Sequence, residues 1–166
     1  MRLGVLTEPD GENRVAIVPN SVKKLMKKGL EVFVEKNAGE KSNYSDSDYS
    51  DAGANICSRD EALSCEIIMS IRMLESSELR DGMNLVCVAD PFRHPEKIKS
   101  CIDSNVTLFS MDMIPRRLSR AQSMDVNSSQ DNLAGYKAVL LGASYVSRGI
   151  PMMTTSAGTV KPAKVV

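Results

Sequence analysis

The chain has 166 residues, of which 42% are hydrophobic, and its 21 basic side chains balance its 21 acidic ones. This length supplies one domain with a core of its own. Zero net charge argues against a nucleic-acid footprint and against a polybasic membrane anchor. No apolar run approaches the ~20 residues that a membrane span needs, and no signal peptide precedes the first predicted strand, so we expect a soluble, cytoplasmic protein.

The opening of the chain predicts a β-α-β unit. Arg2–Leu6 is a short apolar run that ends in a turn, and Leu30–Val34 is a second run of β-branched and aromatic residues. Between them a helix is expected to begin at Pro19, with Asn20 or Ser21 as its cap. This crossover is long enough for a parallel, right-handed connection.

The middle of the chain alternates short helices and strands. The predicted helices are Asp46–Ala52, Arg59–Ser64, Glu75–Arg80 and Pro95–Ser104, and the predicted strands are Asn55–Cys57, Ile67–Ile71, Leu85–Val88 and Val106–Phe109. Ser58, followed three residues later by Glu61, is a capping box for the second helix. The alternation predicts the α/β class, with a Rossmann-like or flavodoxin-like parallel sheet covered by helices on both faces.

The last segment of the chain predicts one more helix. Apolar residues recur there at helical spacing: Leu133, Tyr136, Val139, Leu140 and Ala143. Ser129 can cap this helix, and Gly135 inside it indicates a close packing contact, since an interior glycine costs about 1 kcal/mol against alanine. Ile150–Thr159 is irregular, and Lys161–Val166 begins as a strand would.

The cysteines and the single histidine form no metal-ligand pattern, so no metal site is expected. No CxxC spacing occurs among the cysteines, and we interpret them as small buried hydrophobes in a reduced compartment. They are Cys57, Cys65, Cys87 and Cys101. His94 is interpreted as a surface or helix-start residue.

Ile114–Tyr136 concentrates the binding chemistry of the chain. Its three arginines offer forked donors that match phosphate or carboxylate, and each of four polar side chains can orient a ring substituent. These side chains are Gln122, Asp125, Ser128 and Ser129. By residue type alone, a solvated charged face is the alternative interpretation.

The order of residues in Arg117–Tyr136, RxxRAQSxDxxSSQxNxAGY, resembles the signature loop of the alanine dehydrogenase/transhydrogenase N-terminal domain family. Within that family it is most similar to the NAD(H)-binding alpha subunit of proton-translocating NAD(P) transhydrogenase. Two further blocks, GENRVAIVPNSVKKL at Gly11–Leu25 and PMMTTSAGTVKPAKVV at Pro151–Val166, also resemble the family. The resemblance therefore extends along the whole chain.

The resemblance implies that this chain is the front of a two-domain unit. Residues 1–135 would form the N-terminal α/β domain, and residues 136–166 the connecting helix and the start of a dinucleotide-binding domain that the chain lacks. No GxGxxG occurs in the chain, so the dinucleotide cradle is expected in that further domain. NAD(H) would lie in the cleft between the two domains, and NADP(H) on a partner component.

The resemblance also assigns roles to residues. Arg117, Gln122 and Asp125 are expected to be catalytic and, together with Ser128 and Arg14, to bind the cofactor. Arg117 suits a cofactor phosphate or a pairing with Asp125, while Asp125 with Ser128 suits the nicotinamide carboxamide. Gln122 would bridge toward the partner nucleotide. The alternatives are a solvated amide for Gln122 and a surface ion pair for Arg14.

Two positions separate the activities known in this family. Arg72 stands where alanine dehydrogenases carry a substrate-binding lysine, and a guanidinium is not deprotonated in proteins. His94 lies several residues from the position of the dehydrogenase acid/base histidine. Proton transfer from an amino acid needs a group that titrates near neutrality, whereas hydride transfer between two nicotinamides does not.

The sequence therefore predicts a portion of an NAD(P) transhydrogenase alpha subunit, an oxidoreductase that transfers hydride from NADH to NADP+ and is coupled to proton translocation. The implied partners are an NADP-binding component, a membrane component and a second copy in a homodimer. Attachment to the inner side of the membrane would come through these partners, without direct insertion and without nucleic acid. The alternatives are an alanine dehydrogenase-type domain and a non-catalytic docking module.

Overall fold

The structure is a computed structural model that describes residues 1–164. The chain divides into two compact units, residues 1–124 and residues 125–166. The division expected after residue 135 concerns the domains of the family and stays a prediction. Among the described residues, no helix combines the length and the apolar character needed to cross a bilayer.

A six-stranded sheet forms the first unit. Its strands are β1 (Arg2–Val5), β2 (Glu31–Glu35), β3 (Asn55–Cys57), β4 (Ile67–Arg72), β5 (Asn84–Val88) and β6 (Thr107–Ser110). The order is β3-β2-β1-β4-β5-β6, and every neighbouring pair is parallel. The direction of winding reverses between β1 and β4, as in doubly wound dinucleotide-binding folds. The predicted Rossmann-like α/β sheet is confirmed.

Helices cover both faces of this sheet. They are α1 (Pro19–Met26), α2 (Asp46–Asp51), α3 (Arg59–Leu63) and α4 (Pro95–Asp103). One buried cluster joins Leu3 and Val5 of β1 to α1 and α2, and the other joins Ile68 and Leu85 to α3 and α4. Since neighbouring residues of a strand point to opposite faces, these two clusters are the cores above and below the sheet.

Gly4 allows α3 to lie directly against β1. A β-carbon at this position would lie 2.2 Å from the carbonyl oxygen of Ala62, so any side chain would collide with helix backbone. The glycine thus sets the distance between the first strand and the helix that covers it.

The four cysteines are core residues, as predicted. All are buried and none forms a disulfide. Burial raises the pKa of the Cys87 thiol to about 12, so this side chain stays a neutral thiol at physiological pH.

The start of α1 differs from the prediction. The helix begins at Pro19 after Val18, which makes no side-chain cap hydrogen bond. Asn20 and Ser21 lie inside the helix, so the expected cap at either position is wrong. Proline explains the difference, because its fixed φ suits the first helical position and it has no N–H that would need a cap.

The caps of α2 and α3 follow local sequence signals. Ser45 forms a capping box with Asp48. At α3 only half of the expected capping box forms: the Ser58 hydroxyl accepts a hydrogen bond from the Glu61 amide at 3.3 Å, but the Glu61 side chain does not return one to the Ser58 amide. The helix expected at 75–80 is wrong, since only a 3-10 turn forms at Ser76–Glu78. Leu79 already has an extended backbone conformation, with φ −70° and ψ 138°, so the turn ends there instead of continuing as a helix.

The second unit contains α5 (Val126–Tyr145) and an antiparallel hairpin of β7 (Met153–Thr155) and β8 (Gly158–Val160). The predicted helix is confirmed, but its cap is Asp125 rather than Ser129, which lies inside the first turn. The hairpin corrects the expectation of irregular structure over residues 150–159.

Two smaller expectations for the second unit also differ. A β-carbon at Gly135 would meet no atom within 4 Å, so the close packing contact expected there does not occur among the described residues. Residues 161–164 have no regular structure. The remainder of the strand expected at 161–166, Val165 and Val166, lies outside the described residues.

Candidate functional site

The carboxyl ends of β1 and β4 carry a charged cluster at the point where the strand order reverses. Ligands of open α/β sheets bind at this point of the fold. The loop after β1 contributes Glu8, Glu12 and Arg14, and β4 ends with Arg72. A cavity of about 270 Å³ opens beside the cluster and is lined by residues that include Glu8, Arg59 and Arg72.

Glu12 joins two arginines at this site. Its buried carboxylate accepts hydrogen bonds from Arg14 Nε at 2.8 Å and Arg14 Nη2 at 2.7 Å, and Arg72 Nε lies 3.2 Å from it. The hydrogen bonds from Arg14 lower the pKa of Glu12 to about 2. The cluster of Glu12, Arg14 and Arg72 therefore carries one net positive charge at neutral pH.

Glu8 is buried beneath the same loop and binds backbone instead of a side chain. Its two carboxylate oxygens accept hydrogen bonds from the amides of Ile71 at 2.5 Å and Arg72 at 3.0 Å. Burial raises the pKa of Glu8 above its usual value, and the two amides only partly offset this effect.

Arg59 supports the opposite wall of the cavity. Its guanidinium contacts Glu35 at 2.8 Å, Glu78 at 2.7 Å and the carbonyl oxygen of Thr7 at 3.2 Å. With three acceptors around one side chain, Arg59 holds the ends of β1 and β2 together with the 3-10 turn at 76–78. Its role here is structural.

The cluster does not fit the diphosphate of a dinucleotide. A Rossmann cradle presents backbone N–H groups of a glycine-rich turn at a helix N-terminus. Here the loop after β1 instead places two buried carboxylates, Glu8 and Glu12, at the switch point. The guanidinium groups of Arg14 and Arg72 are partly exposed and suit a carbonyl or a carboxylate group of a ligand.

The loop after β5 is held by a third carboxylate. Asp112 accepts hydrogen bonds from the amides of Ala89 and Asp90, both at 3.0 Å, and from the Ser110 hydroxyl at 2.6 Å. Asp90 has a φ of 44°, a left-handed conformation that these two bonds to consecutive amides stabilise.

His94 follows this loop directly and precedes α4. It is exposed, and its Nδ1 lies 3.4 Å from a carboxylate oxygen of Glu96 on the same helix. The interpretation of His94 as a surface or helix-start residue is confirmed. The only histidine of the chain thus contacts a local carboxylate at a helix end.

Three residues with predicted roles lie in the first unit. Arg117 is exposed, and Gln122 is an exposed residue that begins a 3-10 turn, Gln122–Met124. Arg14 pairs with Glu12, as the ion-pair alternative anticipated, and it does so at the switch point of the sheet. The functional assignments of these three residues stay predictions.

In the second unit the structure brings Asp125 and Ser128 together. Asp125 caps α5, accepting the Ser128 amide at 3.0 Å and the Ser128 hydroxyl at 2.5 Å. Both bonds place the Asp125 carboxylate and the Ser128 hydroxyl side by side at the N-terminus of α5. The pair has a structural role that is compatible with the expected binding of an amide.

Two residues of the switch-point cluster were missed by sequence reasoning, Glu8 and Glu12. Both are acidic residues in a turn, where a solvated side chain is the ordinary expectation. The loop after β1 reaches the carboxyl end of β4 only because these two strands are neighbours in the sheet. The position of Glu8 directly after an apolar strand was the available signal.

Comparison with known proteins gives consistent matches. The family model for the alanine dehydrogenase/PNT N-terminal domain matches residues 4–134. An NAD(P) transhydrogenase alpha subunit from Rhodospirillum rubrum is 40% identical over 165 residues, which covers 93% of this chain and 43% of the relative. The crystal structure of transhydrogenase from Sinorhizobium meliloti superimposes with a TM-score of 0.91 at 40% identity, over 98% of this chain and 50% of that one.

An L-alanine dehydrogenase structure shares the fold, with a TM-score of 0.84 at 24% identity over 98% of this chain and 46% of that one. In each of these comparisons the chain spans half or less of the length of the protein that it matches. The similarity thus concerns one portion of larger proteins.

Proposed function

Because the chain belongs to the alanine dehydrogenase/PNT N-terminal domain family, we propose that it is the N-terminal portion of the alpha subunit of an NAD(P) transhydrogenase. In this role it participates in hydride transfer from NADH to NADP+, coupled to proton translocation by a membrane component. The similarity to the Rhodospirillum rubrum alpha subunit and to the Sinorhizobium meliloti transhydrogenase supports this proposal over other activities of the family.

One observation carries the choice of transhydrogenase over dehydrogenase. Arg72, at the position of the dehydrogenase lysine, lies in an ion pair with Glu12. A guanidinium keeps its proton, and the carboxylate of Glu12 with its pKa of about 2 stays ionised at neutral pH. This cluster can hold and orient a ligand, but it is not built for the proton transfer that oxidation of an amino acid requires.

The nicotinamide cofactor supplies the hydride chemistry when it is bound. Asp125 and Ser128 would bind the carboxamide, as the resemblance to the family implies, and the cap of α5 holds the two side chains together. Arg117 would contact a phosphate, Gln122 would reach toward the second nucleotide, and Arg14 would contribute its guanidinium from the switch point. NAD(H) would be held with the dinucleotide-binding domain of the subunit, and NADP(H) by a separate component.

The proposed assembly is a homodimer that binds an NADP-binding component and a membrane component at the inner side of the membrane. Support comes from the second unit, where apolar side chains of α5 are exposed although monomeric proteins rarely leave large contiguous apolar patches in water. Sedimentation velocity tests the dimer, since a chain that stays monomeric at micromolar concentration contradicts it. Substituting Tyr136→Glu is expected to shift any dimer toward monomer.

The test of the activity is reconstitution of the complete alpha subunit with the NADP-binding and membrane components. The assay follows NADH-dependent reduction of an NADP+ analogue whose reduced form absorbs at a distinct wavelength. Gln122→Asn is expected to slow hydride transfer while leaving NADH affinity nearly intact, because the shortened side chain withdraws the amide from the partner nucleotide. Gln130→Asn is the matched control, and equal turnover in both variants and wild type contradicts the role of Gln122.

Two alternative outcomes identify the competing functions. Pyruvate- and ammonia-dependent oxidation of NADH by the complete protein would indicate an alanine dehydrogenase. Failure to restore hydride transfer when the chain is combined with complementary domains, together with retained binding to the complex, would indicate a non-catalytic docking module.

A further inference from the structure

The end of β4 contains a bulge. Met69 pairs with Val86, and the next register pair joins Arg72 to Val88, so three steps along β4 match two along β5. The Ser70 hydroxyl donates to the Arg72 carbonyl oxygen at 2.7 Å and closes the irregular segment on itself. A β-bulge bends its strand and redirects the side chains beside it. The direction of the Arg72 side chain therefore depends on how this bulge is held.

Glu8 supplies the acceptors for the bulge. A buried amide without a partner costs free energy, and the amides of Ile71 and Arg72 find theirs in the two oxygens of one carboxylate. Glu8 itself is only 5% exposed. An acceptor-only group with two oxygens is the side chain that matches two consecutive N–H donors. The contact joins the loop after β1 to the end of β4 across the switch point.

Arg72 has little else to fix its direction. Its side chain is 59% exposed, and its ion pair with Glu12 at 3.2 Å is longer than the bonds between Glu12 and Arg14. Although the Glu12 carboxylate is buried, the Arg72 end of this pair is exposed, and holding a long exposed side chain costs conformational entropy. The backbone geometry of the bulge is thus the main constraint on where the guanidinium lies.

We propose that Glu8 is a positioning residue for Arg72: its carboxylate holds the bulge of β4 and thereby directs the Arg72 guanidinium to Glu12 and Arg14. The guanidinium groups of Arg14 and Arg72 are then held at the switch point by the Glu12 carboxylate, which neutralises one of their two positive charges. The structural half of this inference, that Glu8 positions Arg72, does not depend on the proposed function, whereas its consequence for hydride transfer rests on that function.

Glu8 holds the bulge through its carboxylate, so the bulge depends on the ionisation of Glu8, which the surrounding charges influence. The groups that face it are Glu12 and Arg14 from its own loop, Arg72 from β4 and Cys87 from β5, with Glu35, Arg59 and Glu78 around the shared cavity. Glu12 stays ionised down to about pH 2, whereas burial raises the pKa of Glu8. On acidification Glu8 therefore takes up its proton while Glu12 still carries its charge.

The direct test uses ¹⁵N NMR of the chain and follows the Nε–H signals of Arg72 and Arg59. In Glu8→Gln, the amide nitrogen of glutamine faces one of the two backbone N–H groups, so the bulge loses an acceptor without a change in side-chain size. Hydrogen exchange at Arg72 Nε is expected to accelerate on the order of tenfold, because Nε would leave the Glu12 carboxylate that lies 3.2 Å away. Arg59 Nε, bound to Glu78 at 2.7 Å, is expected to keep its rate.

Glu31→Gln, the same change at an exposed residue of β2, is the matched control and is expected to leave both signals unchanged. An unchanged Arg72 signal in Glu8→Gln overturns the proposal. Equal acceleration at Arg72 and Arg59 also overturns it, since that result indicates general loosening of the fold rather than positioning.

If Glu8→Gln does not fold, titration of the unmodified chain gives the same test. The amides of Ile71 and Arg72 and the Nε–H of Arg72 are expected to shift with one common midpoint, above the ordinary value of a glutamate carboxyl, because burial raises the pKa of Glu8. Separate midpoints for the amides and for the side chain overturn the proposal.

The consequence for activity is tested by a double-mutant cycle in the reconstituted enzyme. Glu8→Gln and Arg72→Gln are expected to lower hydride transfer by similar factors, and the double variant by no more than the stronger single variant, because Glu8 acts through Arg72. If the factors of the two single variants multiply in the double variant, Glu8 does not act through Arg72, and the positioning role is overturned. Absence of hydride transfer in the unmodified enzyme refutes the proposed function, and the NMR result still decides the structural half.

Discussion

The two units of the chain differ in what their apolar side chains contact. The buried residues among 1–164 all lie in the first unit, most of them in the two clusters beside the sheet, while none of the described residues 125–164 is buried. The 20-residue helix α5 exposes Tyr136 and Tyr145 at 67% and 87%. Apolar side chains therefore stabilise the fold of the first unit, whereas in the second unit they remain exposed and available for contacts. Matched substitutions in the two units test this difference.

The largest effect is expected from removing core volume. Leu85 of β5 is fully buried, whereas Leu140 of α5 is 48% exposed. Leu85→Ala is expected to lower the free energy of unfolding by about 3 kcal/mol, because transfer and cavity costs add. Leu140→Ala should cost less than about 1 kcal/mol, since a half-exposed side chain loses little buried area. Urea denaturation of both variants measures the difference, and similar losses would contradict the contrast between the units.

Two glycine substitutions, one in each unit, sharpen the same comparison, because their effects on stability should have opposite signs. Gly4→Ala places a methyl group against the backbone of α3 and is expected to cost about 3 kcal/mol, at the upper range of overpacking effects. Gly135→Ala adds its methyl group to open space inside α5 and should stabilise that helix by about 1 kcal/mol. Thermal and urea unfolding test the first effect, and helical content by circular dichroism tests the second.

A carboxylate of the first unit stabilises the fold through its hydrogen bonds to Arg14. Glu12→Gln is expected to lower the free energy of unfolding at pH 7 by about 2 to 3 kcal/mol, since the folded-state pKa of Glu12 lies at about 2. A depressed pKa contributes stability above the unfolded-state value near 4.5, and this stability is lost as the pH falls toward 2. The variant and the unmodified chain should therefore converge in acid. Asp10→Asn, on an exposed carboxylate paired with Lys41, is the control and is expected to change the free energy of unfolding at pH 7 by less than about 1 kcal/mol.

Local sequence signals predicted most of the fold because each is set by a few neighbouring residues. The capping serines, the strand runs and the alternation of elements are of this kind, and the sheet and its covering helices followed from them. The cap of α1 was wrong because the proline directly before Asn20 offered a better helix start than Asn20 or Ser21. The hairpin at 153–160 was missed because its strands have three residues each and no apolar alternation.

The candidate site was predicted less completely, for a different reason. The signature stretch could be identified from its residue order, but the Glu8 and Glu12 contacts depend on β4 lying beside β1. Residues 8 and 72 are distant in sequence, and no periodicity relates them. A prediction of this cluster would have required the strand order and the bulge of β4, both of which arise from tertiary packing.

The smallest effect is expected at Asp125, where a structural role and a proposed binding role coincide in the exposed second unit. Asp125→Ala removes the cap of α5 and should cost about 1 kcal/mol locally, seen as faster amide exchange at Ser128. Asp125→Asn keeps an acceptor oxygen for the Ser128 amide but replaces the second oxygen by a donor. If Asp125 binds the carboxamide, Asp125→Asn should weaken NADH binding in the reconstituted enzyme while amide exchange stays slow. If both variants bind NADH in proportion to the stability of the helix, Asp125 acts through capping alone.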